Sequence, residues 1–406
     1  MDLKKHFKRK VLGNGVTLLF EKRDVPIVSV AFAVRQGAIN EDLEEKGISH
    51  FLEHMLFKGT PTRNSFEISS AIEKKGGDLN GFTDEEVTAY WCKMPNEHLG
   101  IALDVLSDVM KNPLLDKNEL EKERQVIFEE IKMYKDNPTA YVFEGLQREL
   151  YEGTLSEPII GSVETLKKID RKKMKEFFDR VYRSENMIVC VVGNVEFSDV
   201  ENFLEKNFQR TKGEIKELEV KNSNGEKLET RKGIDQANMV FAYHVPKAGE
   251  EKSYAAEVLS TLMAGGMSSR LWTEIREKRN LAYAVKGSSQ IRKRFGYNYV
   301  YVGTSPENVD KVKKVLIEEF EKVSKSLGEK ELEEAKEQIV GNYKIEMEES
   351  RTQMVQLIYS ELEGDAKEYY NFGEKIKKVK LEDVKKMAAD AVKKHSWMVL
   401  VPEKGK

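Results

Sequence analysis

The chain is written twice, and this constrains its fold more than any single motif does. The stretch LKKIDRKKMKEFFDRVYRSENMIVCVVG, beginning at Leu166, aligns without gaps on IKKVKLEDVKKMAADAVKKHSWMVLVPE, beginning at Ile376. Each copy reads as an amphipathic helix followed by a buried strand. At nearly the same separation, ELEKERQVIFEEI from Glu119 resembles ELEEAKEQIVGNY from Glu331, and VSVAFAVRQGA from Val28 has a counterpart in ANMVFAYHVPKA from Ala237. Strands grouped around helices in a unit of roughly two hundred residues predict an α+β fold. The expectation is two homologous domains in tandem, each a mostly antiparallel sheet covered by helices on one face. Between the copies, the charged stretch KGEIKELEVKNSNGEKLETRKG has little apolar periodicity and contains Asn-Ser-Asn-Gly. It reads as a linker. The domains are therefore expected at 1–215 and 234–406, joined by 216–233, with the boundary near residue 220.

Length and charge leave room for this arrangement. At 406 residues the chain can bury two cores without metal staples or disulfides. A net charge of −3 gives no indication of nucleic acid or of a membrane surface. No window reaches the roughly 18 apolar residues of a spanning helix. The two cysteines, Cys92 and Cys190, sit in apolar runs and read as reduced core thiols. The N-terminal stretch runs straight into strand-like alternation with no leader pattern, so a cytoplasmic location is expected.

The first copy contains what the second lacks. In GISHFLEHMLFKGT, His50, Glu53 and His54 lie at helical spacing, so all three fall within an arc of about 100°. Around them, Ile48, Phe51, Leu52, Met55, Leu56 and Phe57 make the helix apolar on nearly every side, which implies burial. Two buried histidines satisfied by backbone carbonyls are the plain alternative. Three ionisable groups on one buried face, however, call for compensation, and a divalent cation supplies it. Neutral imidazoles at i and i+4 give two tetrahedral ligands, and the glutamate just before the second histidine is displaced enough to reach a bound water. This inverted H-x-x-E-H order is the signature of one class of zinc peptidases.

A catalytic zinc site needs a third protein ligand. On the helix NELEKERQVIFEEIKMY, the apolar residues Leu120, Ile127, Ile131, Met133 and Tyr134 define an inward face that also contains Glu123 and Glu130, whereas Glu129 points toward solvent. Glu130 is the better candidate for the ligand. Glu123, two turns earlier on that face, is a candidate to support the site.

With these residues in place, the sequence resembles the pitrilysin and insulin-degrading enzyme family of zinc metallopeptidases, and in length its mitochondrial processing peptidase-like bacterial branch. The family's third ligand stands at a fixed distance after the second motif histidine, which falls here on Glu130. The resemblance implies one zinc per chain held by His50, His54 and Glu130, with Glu53 as general base. It also implies a peptide-accepting edge strand at Asn80, Gly81, Phe82 and Thr83 in GGDLNGFTDEEVTAYW, although Gly76 and Gly77 could equally serve a turn. In the second copy, GGMSSRLWTEIREKRNLAYAV is similar to the family's C-terminal segment, in which an arginine and a tyrosine contact substrate; these are Arg276 and Tyr283. Family members enclose substrate between two half-shells and this chain supplies one, so a homodimer is expected, or a heterodimer with a zinc-less paralogue. The substrate implied is a peptide or an unfolded protein segment. The competing class is a structural or peptide-binding subunit that keeps the fold without the chemistry.

Overall fold

The structure, a computed structural model, describes residues 3–403. Its strands are β1 (Phe7–Val11), β2 (Thr17–Lys22), β3 (Ile27–Val34), β4 (Asp78–Thr83), β5 (Thr88–Pro95), β6 (Tyr151–Glu152), β7 (Met187–Gly193), β8 (Lys221–Asn222), β9 (Glu226–Arg231), β10 (Ala237–His244), β11 (Ala282–Ile291), β12 (Gly296–Thr304) and β13 (Ser396–Pro402). The α-helices are α1 (Ile48–Leu56), α2 (Ser65–Glu73), α3 (Leu99–Lys111), α4 (Lys117–Asp136), α5 (Pro138–Leu150), α6 (Val163–Lys167), α7 (Arg171–Val181), α8 (Phe197–Asn207), α9 (Ser253–Ala264), α10 (Val309–Ser326), α11 (Glu329–Glu346), α12 (Ser350–Glu363), α13 (Phe372–Lys377) and α14 (Leu381–Lys393). Among the described residues no helix is long and apolar enough to cross a membrane.

The first compact unit consists of the chain through Lys132, Glu157–Glu219 and Glu346–Tyr370. Its sheet runs β1-β2-β7-β3-β5-β4, antiparallel except for the β2–β7 pair. On one face, Val28, Val30, Phe32 and Val34 of β3 join a core with Phe51, Leu52 and Met55 of α1 and Leu103, Leu106 and Met110 of α3. The other side of β3 presents Ser29, Ala31 and Ala33, which are also fully buried. These small residues lie under α12, a helix encoded in the C-terminal half of the chain. A polar seam fixes it there. Glu361 accepts from Arg9 Nε and Nη2 at 2.7 Å each and from Arg35 at 3.0 Å. Ser29 and Ser350 hydroxyls lie 2.9 Å apart, and Gln353 donates to Glu21 at 2.7 Å.

The second unit consists of Met133–Ser156, Val220–Ile345 and the chain from Asn371 onward. Its sheet runs β11-β12-β10-β13-β9, antiparallel except for β9–β13. Met239, Phe241 and Tyr243 of β10 pack with residues of α9, α10 and α14, including Val258, Leu316 and Val384. The opposite face is covered by α5, encoded in the N-terminal half. There Phe143 meets the rings of Tyr299 and Tyr301, and Gly145 sits so close to Met398 that a β-carbon would lie 2.8 Å from its sulfur.

The two sheets repeat one topology: β4, β5, β3, β7 and β2 correspond in order to β11, β12, β10, β13 and β9. The fold is α+β, as the repeat predicts. Three expectations are corrected. Each sheet is covered on both faces, because a helix from the other half of the sequence closes the second one. The compact units are accordingly discontinuous. The segment read as a linker at 216–233 contains β9, which pairs in parallel with β13; its charges are those of an edge strand whose side chains stay largely exposed.

Candidate metal centre

Helix α1 is fixed at both ends by buried polar contacts. At its start Gly47 adopts φ +95°, and a β-carbon there would lie 2.6 Å from the Ile160 carbonyl oxygen, so only glycine fits. The fully buried Glu41 accepts from the Gly47 and Ser49 N–H groups at 2.9 and 2.7 Å, satisfying two donors that the first helical turn leaves open. Burial pushes the Glu41 carboxyl up, while nearby Lys46 and these N–H groups oppose it. Past the other end, Asp108 accepts from the Thr60 and Thr62 hydroxyls at 2.7 and 2.8 Å and from Arg63 at 2.8 Å, holding the loop that follows. Ile48, Phe51, Leu52, Met55 and Leu56 are completely buried, leaving one polar side to the helix.

On that side His50 and His54 converge with Glu130 of α4. Glu130 Oε2 lies 3.9 Å from His50 Nε2 and 3.7 Å from His54 Nε2, and one ligand atom from each of the three residues can be chosen with all separations within 4.8 Å. Ligands at about 2.1 Å in a tetrahedral shell lie roughly 3.4 Å apart. The three groups therefore fit a zinc ion after a small inward adjustment. Burial, and less so the neighbouring His54, pushes His50 down to about 3, which keeps its imidazole neutral and able to ligate at physiological pH.

Contacts around the triad follow the pattern of a metal site. His54 Nδ1 lies 3.2 Å from Glu123 Oε2, and the other Glu123 oxygen accepts from Lys58 at 2.7 Å. This carboxylate fixes the ring orientation of His54. His50 Nδ1 is buried with no partner among the described residues. Three carboxyl groups, Glu53, Glu123 and Glu130, stand here beside two imidazoles and one lysine, a donor set that suits a divalent cation.

Glu53 faces the same space. Its Oε2 accepts from the Thr83 hydroxyl at 2.7 Å, and a β-carbon on Gly81 would lie 3.1 Å from its Cγ and Oε1. Burial pushes its carboxyl up, with Glu130 adding to the rise and Thr83 and His54 opposing it. A carboxylate raised in this way suits a general base. Thr83 and Gly81 belong to β4, whose only sheet partner among the described residues is β5, so β4 is an edge strand. Asn80 is exposed and its Oδ1 accepts from the Gly81 N–H; Phe82 is half-buried.

The structure thus gathers His50, Glu53, His54, Gly81, Thr83, Glu123 and Glu130 in the first unit. Arg276 and Tyr283 lie in the second unit beside each other, with an Arg276 Nη1 bond to the Tyr283 carbonyl at 3.0 Å. On α4, Glu129 points to solvent as expected, but Met133 and Tyr134 are exposed and not part of the inward face. Sequence reasoning missed Glu41 and Lys58. Lys58 could have been found, since it continues the His50–His54 series by one further turn. The contact of the Thr83 hydroxyl with Glu53 is likewise not specified by the sequence.

Comparison with known proteins matches both halves. The family profile described as insulinase (peptidase family M16) covers residues 16–163, and the one described as peptidase M16 inactive domain covers 168–339. A Bacillus subtilis protein called an uncharacterized zinc protease is 34% identical over 86% of each chain. A Streptomyces coelicolor protein of the same description is 30% identical over 98% of this chain and 90% of its own. Among solved structures, a protease from Helicobacter pylori superposes with TM-score 0.89 at 22% identity over 98% of this chain and 99% of its own. A peptidase M16 inactive domain from Pseudomonas fluorescens gives 0.88 at 18% identity over 98% of each chain. At these identities the structural likeness is one of fold.

Proposed function

Since the chain belongs to peptidase family M16, the insulinase family, we propose that it is a zinc endopeptidase acting on peptides or unfolded protein segments. The observation that carries this reading is the convergence of His50 Nε2, His54 Nε2 and Glu130 Oε2 beside a half-buried Glu53. When bound, zinc supplies Lewis acidity to the attacking water and to the scissile carbonyl. Glu53 takes the proton of that water and returns it to the leaving amine. Thr83 holds one Glu53 oxygen, leaving the other for the proton. Glu123 orients His54, and Lys58 holds Glu123. The free edge of β4 accepts substrate by strand addition, which reads an extended backbone and favours unfolded segments. Arg276 and Tyr283 donate to a substrate carbonyl. A second copy of the chain completes the enclosure in this reading, with one zinc per chain.

The test is zinc content and cleavage of a quenched fluorescent unstructured peptide by the purified chain and by Glu53→Gln, across a range of protein concentrations. Zinc near one per chain in both, with cleavage lost only in Glu53→Gln, is expected. Zinc without cleavage at any concentration would favour the peptide-binding subunit.

A further inference from the structure

The segment containing Arg276 and Tyr283 departs from regular backbone three times in twelve residues. Residues Trp272–Glu277 form a π-helical turn, Asn280 sits at φ +51°, and the β11–β12 register shifts between Ala282 and Ala284, so that Tyr283 is the extra residue of a β-bulge. π-turns and bulges recur at functional sites, where they re-aim a side chain. Here the bulge has a definite result. Along β12, Tyr297, Tyr299 and Tyr301 alternate with the residues of the opposite face, and the next position in their row is Gly303. The Tyr283 ring occupies that place. A β-carbon on Gly303 would lie 2.8 Å from the Tyr283 hydroxyl and 2.9 Å from Cζ.

The surroundings hold the ring and leave it accessible. Tyr283 is 51% exposed. Its carbonyl, displaced by the bulge, accepts from Arg276, whose guanidinium stacks 4.3 Å from the Trp272 ring centre. Tyr301 donates to Asn238 Oδ1 at 2.7 Å and lies 3.2 Å from the Thr139 hydroxyl, so its phenol is fixed from below. Burial pushes the Tyr301 phenol up, and the adjacent Tyr283 hydroxyl adds to the rise.

We infer that Gly303 and Tyr301 are positioning residues for Tyr283: the absent side chain at 303 is the seat of the Tyr283 ring, and the bond from Arg276 to the Tyr283 carbonyl ties the two residues together. The inference rests on the proposed peptidase reading, in which this pair meets the substrate carbonyl.

The test uses the full chain loaded with zinc. Because the atoms nearest the 303 β-position are the far end of the Tyr283 side chain, Gly303→Ala shifts the ring and spares the sheet. With 3-fluorotyrosine at position 283, the 19F resonance is expected to move or broaden in Gly303→Ala and, by a smaller amount, in Tyr301→Phe. In peptide cleavage, Gly303→Ala is expected to lower kcat on the order of 10²-fold at nearly unchanged KM, as for loss of a transition-state donor. Gly303→Ala added to Tyr283→Phe should cost nothing further. An unmoved resonance, or losses that multiply in the double variant, overturns the inference. Tyr283→Phe cleaving at the unaltered rate would remove Tyr283 from the reaction and this proposal with it, while leaving the zinc mechanism standing. Zinc without cleavage would fail the peptidase reading instead, and the 19F arm would still decide whether Gly303 seats the ring.

Discussion

The Thr83 hydroxyl donates to Glu53 Oε2 at 2.7 Å, so the edge strand of the first sheet is bonded directly to the helix that contains His50 and His54. A hydrogen bond to a carboxylate favours its charged form. Removing it in Thr83→Val therefore raises the Glu53 pKa further. The base must be ionised to act, so the acidic limb of kcat/KM is expected to move to higher pH. A pH–rate profile checks this, and a limb that stays or moves down would count against Glu53 as the base.

Gly81 presses on the same residue from the same strand. An added β-carbon would stand 3.1 Å from Glu53 Cγ and 3.2 Å from Phe57 Cε2, a contact that displaces the glutamate by tenths of an ångström. Gly81→Ala is expected to lower kcat by about tenfold with zinc content intact, since small misplacements of a reacting group are costly. Equal zinc and equal kcat would show that Glu53 tolerates the shift.

Glu123 Oε2 lies 3.2 Å from His54 Nδ1. Glu123→Ala leaves the imidazole without its Nδ1 partner and Lys58 without its carboxylate. Zinc affinity, measured by competition with a chelator, is expected to fall by about 10- to 100-fold. An unchanged affinity would mean that packing alone orients the ring.

His50, Glu53 and His54 are legible in the sequence because helical spacing fixes their mutual directions before any tertiary contact forms. Glu130 and Glu123 are legible for a related reason: the apolar stripe of α4 marks its inward side. The same stripe misleads at Met133 and Tyr134, because the last turns of a helix can project beyond the core that covers its middle. Thr83 on Glu53, and Glu41 on the first turn of α1, depend on which strand or loop lies against the helix, and no local pattern specifies that. The placement of α12 is hidden in a similar way. SRTQMVQLIYSELE shows that Leu357 and Ile358 are to be buried, but not against which sheet. In retrospect the alternating small residues Ser29, Ala31 and Ala33 record a helix packed closely on β3.

Glu361 carries much of that placement. Its carboxylate is 2% exposed and takes bonds from Arg9 and Arg35, each about a third exposed. Glu361→Ala leaves two half-hydrated guanidinium groups unpaired. The expected cost is about 2–3 kcal/mol, below that of a fully buried pair because the arginines regain some water. Urea unfolding measures it, and a loss under about 0.5 kcal/mol would place the seam among ordinary surface pairs.

At the start of the same helix, Glu349 gives a pH dependence of definite sign. Burial alone would raise its carboxyl, but Lys93, the Thr352 N–H and hydroxyl and the Arg351 N–H outweigh it and hold it at about 2. Its folded pKa lies below its unfolded one, so its stabilisation is present above the unfolded value and lost as pH falls toward about 2. Glu349→Gln is expected to be less stable than the unaltered chain at pH 7, with the gap closing from about pH 5 downward. A gap that persists to low pH would assign the effect to something other than ionisation.

The helix that closes the first sheet has a consequence for synthesis. When Glu130 leaves the ribosome, His50, His54 and Glu130 have all been made, yet residues 346–370 are roughly two hundred positions from being made. Until then, the Ser29, Ala31 and Ala33 side of β3 has no cover, and Arg9, Glu21 and Arg35 lack partners from α12. Folding of the half that contains these three residues is thereby tied to completion of the other half, and a chain cut short before α12 would present all three on an open-faced sheet.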